Sequence, residues 1–154
     1  MTSLKEKIEG DLKEALRAKD ELRLSTLRMV SAAIHNREIE KRTKTGESEL
    51  TEEETALVLR AETKKRKDAA EGFEKGGRAD RAEKERQEGE IIQKYLPAEL
   101  SDEDVEKIVR EVVAGLGEVT QKDFGRVMGE VMKKTRGQAS GDRVSGALKK
   151  VITG

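Results

Sequence analysis

Pro97 is the only proline in a chain of 154 residues, and no stretch of the sequence alternates apolar and polar residues with a period of two. Apolar side chains recur every three or four residues instead, which is the spacing that places them on one face of an α-helix. Proline breaks helices, so a chain with a single proline can be helical almost throughout. We therefore predict an all-α protein: an N-terminal helical domain, residues 1–97, organised as a helical hairpin region, followed by a small C-terminal three-helix domain, residues 98–154.

Start and stop signals predict seven helices. The predicted N-caps, whose side chains accept free backbone amides at a helix start, are Ser3, Asp20, Thr51, Ser101 and Thr120. Glutamates three residues after Ser3 and Thr51 add the second half of a capping box. Pro97 is expected to stop the fourth helix, which begins near Asp80 and is mostly charged until Ile91. Only the last turns of that helix are therefore expected to bury side chains.

The composition excludes several kinds of site. Cysteine is absent, which removes disulfides, thiolate metal sites and a cysteine nucleophile, and His35 is the only histidine that could serve as a catalytic base. Phe73, Tyr95 and Phe124 are the only aromatic rings, too few for the platform on which single-stranded RNA binders stack bases. We predict no catalytic residue, no metal and no cofactor. The sequence shows neither a signal peptide nor a membrane-spanning run, so we expect a cytoplasmic protein.

The net charge is zero, with 32 basic and 32 acidic residues, but the charges are unevenly placed after the proline. Residues 99–119 hold 2 basic and 7 acidic residues, whereas residues 120–154 hold 8 basic and 3 acidic residues. We expect the three-helix domain to have one acidic side and one basic side. A basic stripe of this kind is the electrostatic footprint of a protein that binds a phosphate backbone.

The densest part of the basic stretch is the junction between the last two predicted helices. Lys133, Lys134 and Arg136 fall in the last turn of the sixth helix, and a loop with two glycines leads to the free amides of the seventh. Cations beside free helix N-terminal amides suit a phosphate. Cations in the last turn of a helix, followed by glycine, are also ordinary capping chemistry, and the residues alone leave both interpretations open.

Two further patterns favour structural roles. The cluster Lys64-Lys65-Arg66-Lys67 lies among acidic residues on the same predicted helix, which is typical of a solvated helix face. Gly125 and Gly129 stand about one helical turn apart, which predicts that two helices approach closely there. His35 is expected at the surface of its helix.

Several multi-residue blocks resemble the GatB/YqeY family over nearly the whole chain. The blocks that resemble stand-alone YqeY-like proteins are Leu27-Arg28-Met29, Leu50-Thr51-Glu52-Glu53-Glu54, Lys65-Arg66-Lys67-Asp68 and Tyr95-Leu96-Pro97-Ala98-Glu99-Leu100-Ser101. The stretch from Asp123 through Gly129 and Lys133 to Ala139 is similar to the tail domain of GatB. GatB is the tRNA-handling component of the glutamine-dependent aspartyl/glutamyl-tRNA amidotransferase, and its tail domain recognises the outer corner of tRNA.

The resemblance implies a non-catalytic tRNA-binding module, related to a carbon–nitrogen ligase that uses glutamine as its amido-nitrogen donor. Together with the basic stretch it indicates a set of nucleic-acid-binding residues, in which Gln138 stands where a basic residue is expected. The set is Arg126, Lys133, Lys134, Arg136, Gly137, Gln138, Lys149 and Lys150. We expect weak, salt-sensitive binding of tRNA or another structured RNA, and a partner that is an amidotransferase component or the translation machinery. We expect no membrane partner, and the oligomeric state is left open.

A second class of function stays open beside the RNA-binding module. In that alternative the protein is a helical protein–protein adaptor whose charged helices dock a partner and whose basic loop is incidental. A true amidase or carbon–nitrogen ligase is the least supported class, because no nucleophile–base pair can be identified in the sequence.

Overall fold

The computed structural model describes residues 2–153, without the side chain of Thr153. Within these residues the chain forms helices and connecting segments and no strand, which confirms the all-α prediction. The α-helices in chain order are α1 (Leu4–Ala18), α2 (Glu21–Thr45), α3 (Glu52–Lys75), α4 (Ala79–Gln93), α5 (Asp102–Leu116), α6 (Phe124–Thr135) and α7 (Gly141–Thr153). They form two compact units, which we call the N-terminal unit (Met1–Leu96) and the C-terminal unit (Pro97–Gly154).

Polar caps begin most of these helices. The side chains that accept a backbone amide at a helix start are Ser3, Asp20, Thr51, Ser101 and Thr120. The capping box predicted at Thr51 forms completely, whereas only the serine half of the box predicted at Ser3 forms. The next backbone amide, that of Leu4, donates to Glu52 on α3, with a nitrogen–oxygen distance of 3.2 Å. The start of α1 is thereby fixed by another helix as well as by its own cap.

Two helix boundaries differ from the prediction. Thr120 caps a short 3₁₀ turn, Gln121–Asp123, and α6 begins only at Phe124. The fourth helix ends at Gln93, so Pro97 lies beyond a turn and does not stop it. Both differences are within a few residues of the prediction, because helix ends fray and shift more easily than helix centres do.

The core of the N-terminal unit is small and aliphatic. Its buried members come from all four helices and are Ile8, Leu27, Val30, Ile34, Leu59 and Ile92. The second helix supplies half of them and contacts each of the other three helices. Leu27, Val30 and Ile34 follow the three- and four-residue spacing of one helix face.

Charged and small side chains add to the core residues Leu59 and Ile92 in holding α3 against α4. Arg66 on α3 has its Nη1 atom 3.3 Å from Glu85 and 3.5 Å from Glu88, both on α4. The side chain of Arg66 is 20% exposed and that of Glu88 is 11% exposed. Ala82, near the start of α4, is fully buried. The expectation that only the last turns of this helix bury side chains is therefore wrong.

The basic cluster at residues 64–67 is also corrected in part. Lys65 and Lys67 are exposed, as a solvated face requires, and Lys65 pairs with Glu62. Arg66 faces inward, because its partners lie on the neighbouring helix and not on its own. No local pattern distinguishes one cation of the four, since the choice depends on where α4 places its carboxylates.

The C-terminal unit packs three helices around a core rich in valine. Its buried side chains are Val105, Val109, Val112, Val127, Val131, Ala139, Val144 and Leu148. They come from α5, α6 and α7 and from the loop between α6 and α7. Each pair of these three helices is in contact, so each helix closes the apolar face of the other two.

Candidate nucleic-acid interface

The inner face of α6 determines which of its cations reach solvent. Val127, Val131 and Thr135 follow one another at four-residue spacing and are fully buried. The outer face carries Arg126 and Lys133, which are seven residues apart and so stand at nearly the same angle around the helix. Their Cα atoms are separated by about 10 Å along the helix axis. The helix thus presents two cations on one exposed strip.

Both of these cations have weak acidic partners on their own segment. Nη2 of Arg126 lies 3.4 Å from Asp123, and Nζ of Lys133 lies 3.4 Å from Glu130. The two basic side chains are 59% and 76% exposed. Exposed pairs of this kind contribute only about 0.2–1 kcal/mol, so a phosphate can replace the carboxylate at little cost.

Lys134 and Arg136 add two more cations at the end of α6, with Lys134 about 100° around the helix from Lys133. Both side chains are exposed, and neither forms an ion pair within residues 2–153. Arg136 is the C-cap residue and has a left-handed backbone with φ of 51°, an uncommon conformation for a residue other than glycine. Its side chain therefore leaves the helix at the point where the chain turns.

The loop that follows is packed into the unit and is not open. Gly137 is buried and has a left-handed φ of 75°, and Ala139 is fully buried. The backbone of Gln138 is engaged at both ends, since its amide donates to Thr135 at 2.9 Å and its carbonyl accepts the amide of Leu100 at 2.8 Å. Of the predicted binding residues, Gly137 is thus removed from the surface and Gln138 has no free backbone group to offer.

The start of α7 is also less open than expected. The Ser140 hydroxyl accepts the amide of Arg143 at 3.4 Å, so the helix is capped by its own serine. Lys149 and Lys150 are exposed but lie about 12–14 Å along α7 from Gly141. The structure therefore brings Arg126, Lys133, Lys134 and Arg136 together on one helix and leaves Lys149 and Lys150 toward the far end of another.

Arg143 is a basic residue that the candidate set omitted, and it performs a structural task. Its guanidinium donates to the carbonyl of Leu100 at 2.6 Å and to Asp102 at 2.7 Å, and it lies 3.6 Å from Glu99. The Glu106 carboxyl has a lowered pKa, chiefly through Arg110 and to a smaller extent through Lys150. Cations of α7 thus face carboxylates of α5, so the expected separation into one acidic and one basic side is incomplete.

The two glycines of α6 lie on its outer face. Gly125 and Gly129 are exposed, and a Cβ atom added to either would meet nothing within 4 Å. The prediction that two helices of this chain approach closely there is therefore wrong for the described residues. Gly125 precedes Arg126 directly, and Gly129 lies between Arg126 and Lys133, so no side chain fills the space beside these two cations at either glycine.

These observations define the chain as an all-helical protein of two units, whose C-terminal unit is a three-helix bundle with a basic outer strip on α6. A family model described as "Yqey-like protein" matches residues 5–152, and the chain belongs to that family.

Curated relatives of this chain carry the name "Altered inheritance of mitochondria protein 41, mitochondrial". The protein from Pyrenophora tritici-repentis is 27% identical over 150 residues, covering 95% of this chain and 79% of the relative. Those from Vanderwaltozyma polyspora and Clavispora lusitaniae are 36% and 35% identical, covering 78% and 80% of this chain. These alignments span 66% and 69% of the two relatives, so a part of each relative has no counterpart here.

Less evidence bears on where the protein is located than on its family. The names of these relatives describe them as mitochondrial. No helix within residues 2–153 is both long and apolar enough to cross a membrane. The cytoplasmic location expected from the sequence stays a prediction.

Proposed function

We propose that the C-terminal unit binds structured RNA, with tRNA as the expected ligand, through the outer strip of α6. The strip consists of Arg126, Lys133, Lys134 and Arg136 with the uncovered backbone at the two glycines. The observation that carries the proposal is that Arg126 and Lys133 share one exposed face, beside which a Cβ atom added to Gly125 or Gly129 would meet nothing within 4 Å.

The uncovered glycines support a ligand that approaches the helix closely. Glycine within a helix costs about 0.5–1 kcal/mol relative to alanine, and the open space beside Gly125 and Gly129 gives no steric reason for that cost within the described residues. A sugar–phosphate backbone lying against bare helix backbone places its phosphates within reach of the cations on either side. Recognition of this kind reads the shape of folded RNA and needs no aromatic stacking.

The number of exposed cations in the strip limits the affinity. Contacts from four cations predict a slope of log affinity against log salt of about −3 to −4. Raising the salt from about 50 mM to about 200 mM then weakens binding by roughly 100-fold. The resemblance to a tRNA-handling protein supports tRNA as the ligand, and the proposal assigns no catalytic step to this chain.

Charge reversal tests the proposal. The variant K133E/K134E/R136E removes binding of unmodified tRNA, measured by fluorescence anisotropy at low salt, because three phosphate contacts become repulsive. The matched control is K13E/R42E/K84E, which changes the net charge equally at exposed positions of the N-terminal unit. Equal affinity of the triple variant and the parent would exclude the strip as an RNA interface. Such a result would favour the adaptor alternative, in which the protein captures a protein partner and not RNA.

A further inference from the structure

The N-terminal unit contains a polar cavity that the RNA proposal does not use. It has a volume of about 280 Å³ and lies where α1, the start of α2 and the end of α4 meet. Charged and polar side chains from all three segments line it, with one aliphatic residue among them. The lining residues are Lys7, Asp11, Arg23, Ile91, Lys94 and Tyr95.

A hydrogen-bonded group forms the base of the cavity. The Tyr95 hydroxyl donates to Asp11, and Nη2 of Arg23 lies 3.7 Å from the same carboxylate oxygen. Burial and the neighbouring Asp11 raise the pKa of Tyr95 to about 12, so the phenol is neutral near pH 7. The only negative charge of the lining is therefore that of Asp11, which Tyr95 and Arg23 already satisfy.

Two lysines complete the lining and have no acidic partner. Nζ of Lys7 lies 5.6 Å from the centroid of the Tyr95 ring, which holds the ammonium over the phenol. Lys94 directly precedes Tyr95 in the chain and is exposed. Neither lysine forms an ion pair within the described part of the chain. Three cations and one satisfied carboxylate thus surround the cavity, an excess of two positive charges.

We propose that this cavity binds a phosphate group. A concave surface with an excess of positive charge concentrates anions. An arginine with two lysines can contact several charged oxygens at once, so this set of side chains suits a phosphate ligand better than a carboxylate ligand. The volume lies near the lower limit for small-molecule sites, so it accommodates one phosphate with a small attached group. Two sources supply that chemistry: a small phosphorylated molecule, or a phosphate of an RNA.

The single tyrosine makes the cavity directly observable. Tyr95 is the only tyrosine and the chain has no tryptophan, so intrinsic tyrosine emission reports on this site. Inorganic phosphate replaces sodium chloride in the titration, so that the ionic strength stays constant. Phosphate is expected to produce a saturable change in the tyrosine emission. The variant K7Q/K94Q weakens phosphate binding at least tenfold. The control K13Q/K84Q removes the same charge from other exposed positions of α1 and α4 and binds phosphate as the parent does.

Titration calorimetry on the same proteins detects a bound phosphate that leaves the emission unchanged. Absence of both signals in the parent, or equal phosphate affinity of K7Q/K94Q and the parent, would overturn the proposal. Ribose 5-phosphate, whose attached group is small, and tRNA then distinguish the two sources. If the cavity is a small-molecule site, the parent binds the sugar phosphate and K7Q/K94Q binds tRNA as the parent does. If the cavity is part of an RNA site, K7Q/K94Q loses affinity for tRNA. The variant K133E/K134E/R136E leaves phosphate binding unchanged, both by emission and by calorimetry. A failure of the RNA proposal can therefore be told apart from a failure of the phosphate proposal.

Discussion

In the C-terminal unit, valine and leucine side chains fill the space between three helices, whereas in the N-terminal unit the pair α3 and α4 meets through Arg66, Glu85 and Glu88. Removing a side chain from the first kind of contact leaves a cavity. Removing one from the second leaves a charge without its partner. Truncating a side chain therefore has different consequences in the two units. The stability of the N-terminal unit can be measured by itself, because Tyr95, the only tyrosine, belongs to that unit.

The largest effect is expected from a cavity in the C-terminal unit. The variant L148A truncates a fully buried leucine and is expected to cost about 2–5 kcal/mol of unfolding free energy. A three-helix unit of this size has little stability to lose. Urea unfolding followed by circular dichroism should show an earlier loss of helix, while the midpoint from Tyr95 emission stays unchanged.

The matched control for that variant is L116A, which truncates an exposed leucine at the end of α5. It is expected to change the unfolding free energy by less than about 0.5 kcal/mol, as surface substitutions usually do. A shift of the Tyr95 midpoint in L148A would contradict the comparison, because it would mean that the two units unfold together.

A smaller effect is expected from the charged contact of the N-terminal unit. The variant R66M leaves Glu85 and Glu88 without their guanidinium and is expected to cost about 1–3 kcal/mol, measured by the Tyr95 midpoint in urea. Adding E85Q and E88Q to that variant removes the two uncompensated charges and should recover part of the loss.

An exposed arginine provides the control for this prediction. Arg86 on α4 pairs with Glu74 on α3, but its side chain is exposed, so R86M should cost only a few tenths of a kcal/mol by the same Tyr95 midpoint. Equal losses in R66M and R86M would show that the lower exposure of Arg66 between α3 and α4 adds nothing to its ion pairs.

The smallest effect on stability comes from the glycines of α6, and its sign is opposite. The changes G125A and G129A should each raise the stability of the C-terminal unit by about 0.5–1 kcal/mol, because the new Cβ atoms meet nothing within 4 Å. If RNA lies against the bare helix, the double variant should also bind tRNA more weakly in the anisotropy measurement. Gly146 on α7 is exposed and equally uncrowded, so G146A should stabilise the unit without changing tRNA affinity. Unchanged affinity of the α6 variant would remove the glycines from the proposed interface.

The helices could be predicted because their signals are local. Thr51 and Glu54 are three residues apart, and the capping box that they form depends on no other part of the chain. The second half of the box predicted at Ser3 does not form, whereas Glu52 on another helix accepts the amide of Leu4, which no local signal predicts. A contact with a distant residue is not visible in a local pattern.

The candidate site was harder to predict for the same reason. The choice of Arg66 as the inward-facing cation depends on α4, and the hydrogen bond that engages the loop at Gln138 depends on Leu100, far earlier in the chain. One error was avoidable. Val127 and Val131 each follow a glycine by two residues, a rotation of about 200° around the helix, so burying the valines turns both glycines outward.

The backbone of Leu100 has a consequence for how the protein is made. Its amide is held by Gln138 and its carbonyl by Arg143, residues about forty positions later in the chain. When the ribosome has produced only α5 and α6, the amide and the carbonyl of Leu100 still lack their hydrogen-bond partners. We therefore expect the C-terminal unit to stay unfolded on the translating ribosome until α7 has emerged from the exit tunnel.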